Sequence, residues 1–86
     1  MPIIKTCEII VSRCASGQNG WHTYGESVRE TRAGDSDRLR QRFAHLCAPG
    51  FAIIVRPTYN DSPAPNFAFH EWRSFNGEPF KRVDFK

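Results

Sequence analysis

The sequence predicts a small α+β domain, an antiparallel sheet with one helix packed on one face, in the order β-β-α-β-β-β. Three observations carry that prediction. Apolar residues alternate at period two near the N-terminus. A stripe at helical spacing lies between Gly34 and Pro49-Gly50. An Asn76-Gly77 pair separates two β-like runs near the C-terminus. At 86 residues the chain predicts one domain, 1–86, with a modest core and little room for a deep catalytic cleft.

Residues 3 to 12 read as the first strand. Ile3, Cys7, Ile9 and Val11 share one face, and Thr6, Glu8 and Ser12 share the other. Ile4 and Ile10 break the alternation, which predicts a strand covered on both sides. Residues 13 to 20 read as a turn-rich connector, and 21 to 30 as the returning strand, with Gly25 marking a bulge. The helix is signposted at both ends. Asp35 or Ser36 caps its free N–H groups, Asp37 sits at the positive end of its dipole, and Pro49-Gly50 stops it. Leu39, Phe43, Leu46 and Cys47 form the buried stripe, and Arg38, Gln41, Arg42 and His45 the polar face, with Arg40 at its flank. Residues 51 to 57, FAIIVRP, read as a central strand, and 58 to 66 as a loop rich in Pro, Asn, Asp and Ser.

The last stretch is a hairpin. Asn76 and Gly77 both tolerate the positive φ of a type I′ turn. A strict two-residue loop sets Phe75 opposite Glu78, Ser74 opposite Pro79, Arg73 opposite Phe80, Trp72 opposite Lys81, Glu71 opposite Arg82 and Phe69 opposite Asp84. This predicts that Ala68, Trp72, Val83 and Phe85 pack on the helix. It leaves Phe67, Phe69, Phe75 and Phe80 on the outer face among Glu71, Arg73, Arg82 and Asp84, with Glu71 and Arg82 as a cross-strand ion pair. Pro79, lacking an N–H, requires the final strand to be an edge. That edge could also pair with a second copy to make a homodimer.

The formal charge is +3, and nine of the twelve basic residues are arginine. Arginine grips phosphate and carboxylate and stacks on aromatic rings, so nucleic acid or a protein surface is the implied partner class. The candidate partner-binding residues are Phe67, Phe69, Arg73, Phe75, Phe80 and Arg82 on the hairpin, and Arg38, Arg42 and His45 on the helix. Glu71, Asp84, Glu78, Asp35 and Asp37 lie close to these patches. They would repel a bare phosphate backbone and favour a protein or nucleoprotein complex.

Other chemistries find little footing. Cys7, Cys14, Cys47, His22, His45 and His70 contain no C-x-x-C or H-x-x-x-H pair, so no metal is expected. No phosphate-binding glycine loop is present, so no nucleotide cofactor is expected. Three unevenly spaced cysteines suggest thiols and a cytoplasmic setting. Lys5 and Glu8 interrupt the apolar N-terminal residues, so no signal peptide or membrane span is expected. His22, Tyr24, Arg56, His70, Arg73 and Lys81 could imitate the scattered active site of a small ribonuclease toxin of the RelE type, although the order of elements differs.

In size, architecture and lack of motifs the chain resembles the accessory proteins of phages and mobile elements, anti-CRISPR proteins and other host-defence inhibitors among them. The resemblance implies a non-enzymatic protein that occludes a site on a larger machine. It transfers no site residues. Direct DNA or RNA binding is the alternative, and the ribonuclease toxin the third reading.

Overall fold

The computed structural model describes residues 5–59, 62–63 and 70–84. Its strands are β1 (Lys5–Gly17), β2 (Gly20–Ala33), β3 (Phe51–Tyr59), β4 (Ser62–Pro63), β5 (His70–Phe75) and β6 (Lys81–Asp84). They form one antiparallel sheet in the order β2-β1-β3-β5-β6, with the two-residue β4 on β3. Helix α1 (Ser36–Phe43) follows β2 and runs into a 3-10 turn, Ala44–Leu46. Apart from β4, this is the predicted β-β-α-β-β-β.

The first hairpin is longer than its sequence suggests. β1 and β2 pair from Thr6 and Ala33 out to Gly17 and Gly20, so the predicted connector at 13–20 is mostly strand. Between Val11 and Arg13 the register shifts, and Gly25 there has φ +74°, which marks the bulge its position implied. Among the described strands only β1 pairs with β2. Thirteen of the fourteen β2 residues are exposed, Val28 to 70%.

Helix α1 starts as its caps dictate. The Asp35 side chain accepts a hydrogen bond from the Arg38 N–H at 3.0 Å. The stripe then fails at its last turn. The 3-10 geometry has about three residues per turn, so the i+7 position rotates off the core. Leu46 is consequently 44% exposed, while Leu39 and Phe43 pack inward.

The core lies between α1 and the sheet and holds Cys7, Ile9, Leu39, Ile53 and Val55, with Val11, Phe43, Cys47, Trp72 and Phe80 against it. The other face of the sheet is also buried at its centre. Ile10, Ser12, Ala52 and Glu71 are almost inaccessible there, which accounts for the broken alternation of the first strand.

Burial raises the pKa of the Cys7 thiol to about 11, with a smaller push from the Asp35 carboxylate. The fold therefore favours the neutral thiol. Its contribution is complete below the ordinary thiol range and is lost as pH rises from about 9 to 11. The thermal midpoint is expected to fall across that window, and Cys7→Ala to flatten the fall once its lower starting stability is subtracted. An identical alkaline limb in both proteins would refute the assignment.

The closing hairpin has the predicted turn and a different register. Asn76 (φ +57°) and Gly77 (φ +80°) form it, and Glu78 N–H donates back to Phe75 O at 3.1 Å. Beyond the turn, His70 faces Asp84, Glu71 faces Val83, Trp72 faces Arg82 and Arg73 faces Lys81. This is one residue from the expected pairing. Pro79 has no N–H for the ladder, and the Ser74 hydroxyl bonds to Glu78 O at 2.7 Å, so residues 78–80 leave the ladder before β6 begins.

A one-residue slip exchanges the faces of β6. Arg82 and Asp84 turn to the helix side, and Val83 to the side of Glu71. Phe80 packs against the core instead of standing on the outer face. The predicted Glu71–Arg82 pair does not form. Glu71 binds Arg56 and Arg73, and Arg82 binds Asp84.

Candidate functional site

The predicted Phe/Arg platform on the hairpin is not assembled as expected. Phe67 and Phe69 lie outside the described residues. Phe80 belongs to the core, Arg82 sits on the opposite face, and Phe75 is half-buried. Arg73 keeps its face, but its Nε donates to Glu71 Oε2 at 2.8 Å.

An ion network occupies that face instead. Glu8 lies opposite Arg56 in β3, and Val55–Trp72 pairing places Arg56 opposite Glu71. The Glu71 carboxylate is 2% exposed and takes Arg56 Nε at 2.6 Å as well as Arg73. Arg56 and Arg29 also approach Glu8 Oε1, at 3.6 and 3.3 Å. Three guanidiniums and two carboxylates thus run across β2, β1, β3 and β5. A buried carboxylate holding two arginines fixes their geometry. It also occupies them, which makes this a structural device more than an open anion site. No motif marks it in the sequence. The available signal is the placement of Arg56 and Arg73 around the only acidic residue of β5.

The helix residues fare differently. Arg38, Arg42 and His45 are exposed and converge on the trough between α1 and the C-terminal end of β2. Two adjoining depressions form it. One, of about 700 Å³, lies beside Gly34, Asp35, Arg38 and Arg42. The other, of about 330 Å³, lies between Arg32, Leu39, Arg42, Phe43 and His45. Among the described residues neither the Arg38 nor the Arg42 guanidinium has an ion-pair partner, whereas Arg32 is held by Glu30 at 2.5 Å. His45 Nδ1 is 2.8 Å from Arg42 O, which ties the ring to the helix end. Arg40, placed at the flank by sequence, turns inward over the Trp72 ring, 4.0 Å from its centroid.

A second cleft, of about 320 Å³, brings Ser36 to His70, with Oγ and Nε2 2.9 Å apart, beside Asp35, Asp37 and Thr58. No local signal marks this pair, because 34 positions separate its members. Among the described residues nothing holds His70 Nδ1, so the orienting third member of a catalytic triad is missing. The bond fastens the first turn of α1 to β5.

The residues of the ribonuclease-like reading are not gathered in one place. His22 lies opposite Ala15 on the hairpin arm, and Arg56 lies opposite Glu8, seven residues along β1. That is about 23 Å at strand rise. His70 is on the helix side of the sheet, and Arg56 and Arg73 are on the other.

Among the described residues no three His, Cys, Asp or Glu side chains group to hold a metal ion, and no helix is long and apolar enough to cross a membrane. The chain matches no family model, no curated protein and no solved structure. The described residues thus form a small α+β domain with an ion-laced sheet and a basic trough beside α1.

Proposed function

We propose that this chain is a small binding protein, not an enzyme. It would act by occupying a site on a protein or nucleoprotein complex, in the manner of phage and mobile-element inhibitors such as anti-CRISPR proteins. One observation carries the reading: Arg38 and Arg42 stand exposed over an open trough with no ion-pair partner among the described residues, while Arg29, Arg32, Arg56, Arg73 and Arg82 on the sheet are committed to carboxylates. A protein gains no stability from leaving two neighbouring guanidiniums unpaired, and such residues are what acidic partners recognise. Exposed Val28 and Leu46 add apolar area of the kind found in protein interfaces.

Direct nucleic-acid binding is the alternative supported by the same arginines. Asp35 lines the same depression and Glu30 holds the neighbouring Arg32, and both weigh toward a protein surface.

The test is capture of partners by the tagged chain, with and without nuclease, followed by the double substitution Arg38→Glu/Arg42→Glu. A protein partner that survives nuclease should bind the variant at least about tenfold more weakly, because charge reversal adds repulsion to the lost contact. The thermal midpoint should not move, since both side chains are exposed. Undiminished binding by the variant would remove this surface from the function. Capture that vanishes with nuclease, with affinity falling steeply in salt, would establish the nucleic-acid reading.

A further inference from the structure

Resting on that basic surface, we infer that the open edge of β2 is a docking rail for an extended acidic segment of a protein partner, which adds as a further strand beside Val28–Ala33. Three features converge there. From Val28 to Ala33 the strand is in regular register with β1, so alternate backbone N–H and C=O groups point away from the sheet as a template. Those six residues are all exposed, and no described strand pairs on that side. On the helix-facing side of this edge, which holds Val28, Glu30 and Arg32, Arg32 lines the depression of Arg42 and His45.

Charge selects the occupant. A carboxylate opposite Arg32 on the incoming strand would sit near both Arg32 and Arg42, which line one depression. It would share Arg32 with Glu30 and supply Arg42 with the anion it lacks. An apolar residue four positions along, on the same face, would cover Val28.

The other occupants fit less well. Two copies pairing antiparallel through β2 are related by a twofold normal to the sheet. Both α1 helices then lie on one side, with Arg32, Arg38 and Arg42 facing their own equivalents. A nucleic acid could meet the arginines and the N–H groups, but its phosphates leave the outward carbonyls without donors. The β6 edge, which by sequence could pair with a second copy, is four residues long and carries Lys81, Arg82 and Asp84.

The experiment uses the full chain and three fluorescein-labelled decapeptides: a threonine strand carrying Val and Asp four positions apart (Val-Asp), the same peptide N-methylated at alternate residues, and the strand with Lys in place of Asp (Val-Lys). Anisotropy gives affinity, hydrogen exchange gives protection of β2 amides, and sedimentation gives the state of the free chain. The Val-Asp peptide should bind and slow exchange of the outward amides among residues 28–33. N-methylation and Arg42→Glu should each weaken it about tenfold, and Val-Lys should not bind. If N-methylation changes nothing and β2 exchange is unaltered while Arg42→Glu still weakens binding, the strand inference fails and the basic-surface reading stands. If Arg42→Glu has no effect, both fail. No Val-Asp binding, or a free chain that sediments as a dimer with these amides already protected, also overturns the inference.

Discussion

Replacing Glu71 with alanine is expected to lower stability by about 3 kcal/mol, a large share of the 5–15 kcal/mol typical of small domains. The side chain is 2% exposed, and its two oxygens take one guanidinium each. Removing it leaves Arg56 and Arg73 facing each other without their shared counter-charge. Each is about one-third exposed, so water offsets part of that cost, which sets the estimate at the low end of the range for a broken buried pair. Glu71→Gln keeps the shape and one acceptor and should lose somewhat less. Arg56→Met should also lose less, because the carboxylate keeps Arg73 and no cation is stranded. Urea unfolding at low and high salt is the measurement. A loss that persists in high salt fits a desolvated carboxylate. A loss below about 1 kcal/mol, or one abolished by salt, would fit a solvated surface pair instead.

The network explains why the hairpin face was only partly legible. In a sequence, a glutamate flanked by arginine and aromatic residues reads as surface. Its burial depends on Arg56, fifteen positions earlier, which reaches it only once β3 and β5 pair. Local signals were reliable where local chemistry decides. Asp35 caps α1, and Asn76-Gly77 makes the turn, because these rest on a residue's own φ preference or on a bond three positions away. The register of β6 failed because counting back from the turn assumed an unbroken ladder. Pro79 does mark an edge, and it also stops the ladder from closing around it. Phe80 and Arg82 changed faces for that single reason. Leu46 was misplaced by a smaller change, from an α to a 3-10 turn. Arg38 and Arg42 lie on the exposed face of α1 where helical periodicity puts them, and His45 is exposed in the 3-10 turn beyond it. The length of β2 did not show in the sequence, since its polar, exposed residues lack the alternation that marks a half-buried strand.

Trp72 ties α1 to β5, and Trp72→Ala is expected to cost about 3 kcal/mol, low in the range for large aromatic truncations because the ring is half-buried. The ring packs against the core and makes two further contacts, both with α1. Its Nε1–H donates to Asp37 Oδ1 at 3.0 Å, and the Arg40 guanidinium lies over its face at 4.0 Å. Arg40 Nε is buried without a hydrogen-bond partner among the described residues, so the ring is what holds that side chain. Trp72→Phe keeps most of the area, loses the bond to Asp37 and weakens the cation–π contact, for about 1–2 kcal/mol. Because Asp37 and Arg40 share a short helix with Arg38 and Arg42, loosening them should blur the basic trough as well. The expected pattern is a lower urea midpoint together with faster hydrogen exchange in α1 than in β3, under conditions where Trp72→Phe is still folded. Binding through Arg38 and Arg42 should weaken in the same variant. If exchange rises equally in α1 and β3, Trp72 is a core residue like its neighbours and the trough is held by other contacts.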